Sequence, residues 1–394
     1  MILPELEILH ALVGRVFRVD DVTLGDPQRS YIARYRGHLL SNDSAAAYDY
    51  LTETLKPYGI LPLFRMEGTV QVIYLTQSLP KPQASNKNIN LVLFALTLFS
   101  VLLTGAMYGY EGETPEGLLG MLGTILRNLS AGWPFAASML GILAAHEFGH
   151  YLVGRYHKTE VTLPYFIPLP FSLLGTMGAF IQMKSPPRNR RVLLDIGIAG
   201  PLAGLVVAIP VLLLGLHLSD VGPIEGQGLL EGNSILYLLA KFVIKGKLLP
   251  EPLSYGGLPP LLYWLRYIFT GMPIPLGGLD VQLHPVAWAG WAGLLVTAMN
   301  LIPAGQLDGG HILYVLLGKR TKKVFPFLLA AVALLGIFWN GWLLWAFLLF
   351  IFGRVNAAPL DEITPLDTRR KIIAILMLVL FLLVFIPVPL VYYG

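Results

Sequence analysis

The sequence contains no cysteine. Disulfides and thiolate metal ligands are therefore excluded, and any bound metal has to be held by His, Asp or Glu. Charge is scarce as well: 13% of residues are charged against 55% hydrophobic, with a mean hydropathy of +0.64. A water-soluble domain of average composition is excluded, and most of the chain is expected to lie in a lipid bilayer. The excess of positive charge is only +4, which suits basic loops on one membrane face and gives no footprint for nucleic acid. The opening residues MILPELEILHALVGRVF have two acids and no basic stretch ahead of an apolar core, so they do not read as a cleaved signal peptide. The N-terminus is expected to stay in the cytosol. No internal repeat is visible.

What is present divides into two parts. Residues 1–80 read as a small cytosolic α+β domain: RSYIARYRGHLL suits a strand, SNDSAAAYDYLTETLKPYG a helix ended at Pro57 and Gly59, and residues 60–77 a strand pair turned at Glu67-Gly68. Residues 81–88, inside LPKPQASNKN, read as a linker. The remainder, 89–394, reads as a membrane domain with a core at about 130–320. Apolar runs at 89–110, 134–156, 192–218 and 285–302, a hairpin of two short runs meeting at Asn340-Gly341, and a last run at 372–392 predict about seven crossings. Glu111, Glu113 and Glu116 open an acidic loop after the first run, and residues 219–282 form a long connection with amphipathic pieces expected at the interface. Arg65, Lys81, Lys87, Arg155, Lys158, Arg188, Arg190, Arg191, Lys319, Arg320, Lys322, Lys323, Arg354, Arg369, Arg370 and Lys371 then fall on one side, while Lys241, Lys245 and Lys247 fall on the other. The expected fold is a polytopic α-helical membrane protein with a small N-terminal α+β domain, multi-pass and, in a prokaryote, in the plasma membrane. Trp288, Trp291, Trp339, Trp342 and Trp345 suit interface belts.

The second run carries charge where lipid disfavours it. His146, Glu147 and His150 spell H-E-x-x-H, which places two imidazoles one turn apart on one helix face, with a carboxylate beside them to serve as a base. A Glu near mid-span costs roughly 2.5–3.5 kcal/mol on the lenient insertion scale, so a cavity, a partner or a metal has to compensate. A catalytic zinc site wants a third protein ligand and an open fourth position. Asp308, in NLIPAGQLDGGH, follows a break at Pro303 and Gly305, and broken backbone at membrane depth lines a cavity. Its alternative role is to cap the helix that follows. Asp195 lies behind Arg190 and Arg191 and reads as one half of an interfacial charge pair, while His311 reads as solvated or as lying behind the ligands.

HEFGH on one run and N-x-x-P-x-x-x-L-D-G-G on a later one, separated by GPLAG, resemble the site-2 protease family of intramembrane zinc metalloproteases. Residues 163–204 look like the branch that includes chloroplast members and their bacterial relatives, and no inserted PDZ domain separates the two motifs. The resemblance implies Zn2+ held by His146, His150 and Asp308, with Glu147 as general base and Asn300 aiding the oxyanion; an interhelical hydrogen bond is the other reading of Asn300. It also implies cleavage of transmembrane protein substrates near the cytoplasmic face, as in regulated intramembrane proteolysis. GTMGAFIQM (175–183) resembles the family's reentrant loop, whose edge strand would hold an unwound substrate; it could equally be a hairpin that fills the cavity mouth. Gly200, Pro201 and Gly204 read as close-packing residues. The rival functions are a metal-ion transporter, which has no use for Glu147, and a catalytically inactive membrane chaperone, which has no need of the intact residue set.

Overall fold

A computed structural model of the chain describes residues 5–25, 31–78, 80, 85–110, 112, 117–170, 172–354 and 357–393. Lys81, most of the linker and the acids Glu111, Glu113 and Glu116 lie outside the described residues.

The N-terminal unit runs α1 (Leu6–Gly14), β1 (Phe17–Leu24), β2 (Ala33–Leu39), α2 (Ser44–Leu55), β3 (Ile60–Glu67) and β4 (Val70–Gln77), and its antiparallel sheet has the order β1-β2-β4-β3. Alternation puts Ala33 and Tyr35 of β2 and Ile60 and Phe64 of β3 on the helix-covered face, where they meet Leu51 and Leu55 of α2. Asp43 caps α2 by accepting from the Ala46 N–H at 3.0 Å, and Gly59 ends the following turn in the left-handed region at φ 64°. The sequence reading left β1 unmarked. Its pairing register shifts between Val19 and Asp21, which breaks the alternation by which a strand is recognised.

Beyond the linker come α3 (Lys87–Tyr108), α4 (Gly117–Arg127) and α5 (Trp133–Tyr156), then the hairpin of β5 (Tyr165–Pro168) and β6 (Thr176–Phe180), then α6 (Arg190–Leu218). A cap follows, built from β7 (Asp220–Pro223), β8 (Gly228–Glu231), α7 (Ile235–Lys245), α8 (Pro260–Thr270) and β9 (Leu279–Gln282). The chain returns through α9 (Pro285–Asn300), α10 (Asp308–Leu317), α11 (Thr321–Leu335), α12 (Gly341–Phe352) and α13 (Thr368–Val384) to β10 (Leu390–Tyr393). Among the described residues, α3 and α6 are long and apolar enough to cross a membrane, and α12 is a shorter apolar helix. The core is built where α5, α6 and α9 pack together, with Leu143, Leu194, Leu212 and Leu294 buried between them.

Four details differ from the sequence reading. Helix α13 stops at Val384, because Pro387 and Pro389 cannot continue it; the tail turns into β10, which pairs with β8. Lys241 is fully buried, 3.0 Å from both Glu231 and Asp280, so it contributes no free positive charge to the cap. Trp291 and Trp342 are core residues rather than belt residues: their indole N–H groups donate to the Gly232 and Pro387 carbonyls at 2.8 and 2.6 Å. Asp195 pairs with Arg370, 175 residues away, through two bonds of 2.8 and 2.7 Å, and with His157 at 3.0 Å. The planar guanidinium matches a carboxylate bidentately, an arrangement that sequence proximity to Arg190 and Arg191 could not reveal.

Candidate active site

Helix α5 starts with a proline in its first turn and runs unbroken for 24 residues, which puts His146, Glu147 and His150 in its second half. All three are buried, with 4%, 4% and 6% of their surface exposed. The rings fit because the facing helix supplies no side chains there. A methyl group at Gly200 would lie 2.0 Å from His150 Nε2, and one at Gly204 would lie 3.2 Å from the His146 ring. Gly197 lies on the same face one turn earlier, where a methyl group would stand in ordinary contact with the Cβ of His311 at 3.4 Å. Residues 197, 200 and 204 are spaced by three and four, so α6 presents one glycine-lined face to three histidines. On α5 itself, a methyl at Gly149 would come within 2.5 Å of the Ala199 carbonyl oxygen, so the two helices touch backbone to backbone beside the site.

The orientation of His150 is fixed from behind. Its Nδ1 lies 2.8 Å from the Ile196 carbonyl oxygen; Nδ1–H donates there, which leaves the Nε2 lone pair facing the site.

Asp308 arrives from the other side. Helix α9 ends at Asn300, the chain turns through Gly305 at φ +60°, and α10 begins at Asp308. The N-cap is Leu307, with no side-chain cap, so the capping role considered for Asp308 is not the one it plays. Its carboxylate Oδ2 lies 3.4 Å from His146 Nε2 and 3.3 Å from His150 Nε2, and the two Nε2 atoms are 3.2 Å apart. Gly309 and Gly310 permit this approach: side chains there would run into the Leu301 and Gly305 carbonyl oxygens at 2.0 and 2.4 Å.

These three donor atoms fit a zinc ion. Bonds of about 2.0–2.1 Å at tetrahedral angles place neighbouring ligand atoms about 3.3–3.4 Å apart. The observed triangle has edges of 3.2, 3.3 and 3.4 Å. His146, His150 and Asp308 form the one metal-capable cluster among the described residues. Asn300 joins it from the end of α9, with Nδ2 3.4 Å from His146 Nε2.

The cluster opens into a cavity of about 1000 Å³ that also exposes Glu147 and Asn300. One wall is the stretch from Ala179 to Pro187, which continues β6. A second wall is Ala357–Ala358. His311, expected from the sequence to be solvated or behind the ligands, lines the cavity at 7% exposure, and its Nδ1 is buried without a partner. The glycine spacing on α6 was a legible signal for the ring pockets; two alanines in a loop carried none.

The family model for peptidase family M50 matches residues 134–344, which include every residue of this cluster. The chain belongs to that family. The family is one of peptidases. It is similar to the probable zinc metalloprotease EGY2, chloroplastic, of Arabidopsis thaliana, with 34% identity over 68% of this chain and 44% of that protein. The probable zinc metalloprotease EGY1, chloroplastic, of the same plant is 32% identical over 66% of this chain and 44% of its own length. Its counterpart of the same name in Oryza sativa subsp. japonica is 32% identical over 76% and 50%. The chain thus spans about half the length of the curated relatives it matches. No solved structure matches it.

Proposed function

We propose that this chain is an intramembrane zinc endopeptidase that cleaves single-span proteins near the membrane face bearing the N-terminal unit. The observation that carries this reading is the 3.2–3.4 Å triangle of His146, His150 and Asp308 donor atoms opening into a cavity shared with Glu147 and Asn300. His146, His150 and Asp308 are assigned as the metal ligands. Bound zinc would polarise the scissile carbonyl and acidify a water molecule. Glu147 takes the proton from the attacking water and returns it to the leaving amine. The Asn300 amide donates to the oxygen on which negative charge develops.

Reaching the scissile carbonyl requires an unwound substrate, since a helix ties up its own carbonyls. Strand β6 pairs with β5 along one edge, and its continuation lines the cavity, which suits it to align an extended peptide by backbone hydrogen bonding. Helices α3 and α6 support a membrane setting. The seven-helix arrangement of α3, α5, α6, α9, α11, α12 and α13 would place the N-terminal unit in the cytosol, since Arg188 and Lys319 contact that unit and cationic side chains favour the cytosolic face.

The test is cleavage of a single-span substrate by purified protein of known zinc content, before and after chelation and zinc return. Chelation should abolish cleavage, and zinc should restore it. Cleavage that persists in metal-free protein, or that Glu147→Gln leaves intact, would remove the proposal.

A further inference from the structure

The N-terminal unit is bonded to the walls of the catalytic cavity. Phe64 of β3 donates its N–H to the Leu360 carbonyl at 3.1 Å and accepts from the Glu362 N–H at 3.0 Å, so residues 360–362 extend the sheet past its β3 edge. The same segment continues outward: Leu360 and Asp361 donate to the Pro187 and Arg188 carbonyls at 2.9 and 2.8 Å. Both cavity walls end in these bonds, since Lys184–Pro187 and Ala357–Ala358 line the cavity directly beside them.

Side chains reinforce the link. Arg65 donates to the Pro359 and Leu360 carbonyls at 2.9 and 2.8 Å, and its guanidinium lies 3.8 Å from the Glu362 carboxylate. Glu362, 6% exposed, accepts from the Tyr314 hydroxyl at 3.1 Å. Tyr314 stands on α10, the helix that begins with Asp308. Ser44 of α2 shares a hydrogen bond of 2.8 Å with Thr364, and Leu360 and Ile363 pack on the unit's hydrophobic core. One short segment therefore joins the N-terminal sheet, the two walls and the helix carrying a proposed metal ligand.

We infer that the N-terminal unit is a clamp that sets the width and alignment of the cavity mouth for an extended peptide, with Arg65 and Glu362 as positioning residues. The inference rests on the reading of the cavity as a peptide site. A clamp of this kind acts on substrate alignment, whereas the proton-transfer and metal-holding groups keep their own supports: Ile196 behind His150, and the glycine face of α6.

The experiment compares full-length Arg65→Ala, Arg65→Lys and Tyr314→Phe with the unaltered chain, using a single-span substrate, zinc analysis and backbone hydrogen exchange. In Arg65→Ala, KM should rise about tenfold, equivalent to about 1.4 kcal/mol, with kcat within about twofold and zinc content unchanged. Exchange at Leu360 and Asp361 should quicken. Arg65→Lys should recover part of the KM, since one ammonium can still reach a carbonyl. Tyr314→Phe, which removes one hydroxyl from a folded helix, should raise KM in the same direction and serves if Arg65→Ala does not fold. Faster exchange with unchanged KM, or a fall in kcat or zinc alone, overturns the clamp. An unaltered chain that neither binds nor cleaves the substrate overturns the peptide-site reading and the clamp with it.

Discussion

Two of the clusters of buried charge among the described residues behave oppositely. In the cap, Lys241 lies between Glu231 and Asp280, and Tyr237 donates to Glu231 at 2.8 Å; all four residues are sealed from solvent. The cation bridges its two carboxylates, with Asp280 Oδ2 left buried without a hydrogen-bond partner. At the other cluster, two imidazoles and a carboxylate aim their ligand atoms at a common point beside a large cavity, with a further carboxylate next to them. That set has the donor atoms to hold an ion. Burial of charge alone therefore does not mark chemistry. What marks it is donor capacity left over and directed at accessible space.

The comparison breaks most directly at Glu147 and Asp308. Glu147→Gln should lower cleavage roughly 10²–10⁴-fold, the span of a positioned general base, while zinc content stays at one ion per chain. Asp308→Ala should lose zinc as well as activity. Metal analysis of the two proteins side by side separates the roles; equal zinc loss in both would make Glu147 a ligand and overturn the division.

Much of this was legible, for reasons that differ by residue. H-E-x-x-H declares its own geometry, because a four-residue spacing on a helix puts both rings on one face one turn apart. Asp308 could be read as a candidate from the broken backbone before it, but whether it capped α10 or faced the histidines depended on α10 starting at Asp308 itself. The N-terminal helix α2 and the strands β2, β3 and β4 announced themselves by alternation and turn residues, whereas β1 was hidden by its irregular register. Arg370 with Asp195, and Phe64 with Leu360, are encounters between distant parts of the chain, and a single sequence carries no local pattern for them. The same holds for Lys241, by position a cation of an interfacial helix in the external connection, whose two carboxylates come from β8 and β9.

For the cap, the matching prediction concerns stability. Lys241→Met leaves Glu231 and Asp280 buried side by side without a cation, and breaking one partner of a buried pair typically costs about 3–5 kcal/mol. The unfolding midpoint in detergent should drop, while the zinc content and kcat of the surviving folded fraction remain those of the unaltered protein. A variant that loses metal at unchanged stability would show that the two clusters are coupled.

Asn300 sharpens the catalytic side. Its Nδ2 stands 3.4 Å from His146 Nε2, close enough to serve either the developing oxyanion or the packing of α9 on α5. Asn300→Ala should reduce kcat by about 10²–10³, equivalent to about 2.7–4 kcal/mol, with KM and zinc little changed. A parallel loss of thermal stability with a modest change in kcat would instead assign it to helix packing.

The smallest effect expected is a change of slope rather than of level, and it lies in the cap. Burial pushes the Asp280 carboxyl up to about 6 from an ordinary 3.8; Lys241 opposes the rise, while Glu231 adds to it. The groups around it are Lys241 and Tyr237 on α7, Glu231 on β8 and Tyr267 on α8, and the Tyr237 and Tyr267 hydroxyls are themselves held above their ordinary range by burial. A carboxyl that binds its proton more tightly when folded favours the folded state at low pH, and that contribution is lost as the pH climbs from about 4 through about 6. Asp280→Asn cannot ionise, so the unaltered protein should lose stability relative to the variant across that window, and the difference should stay constant above it. Unfolding midpoints of both proteins at several pH values between 4.5 and 8 supply the comparison. Parallel curves would mean that Asp280 keeps its charge throughout, with Lys241 outweighing the burial.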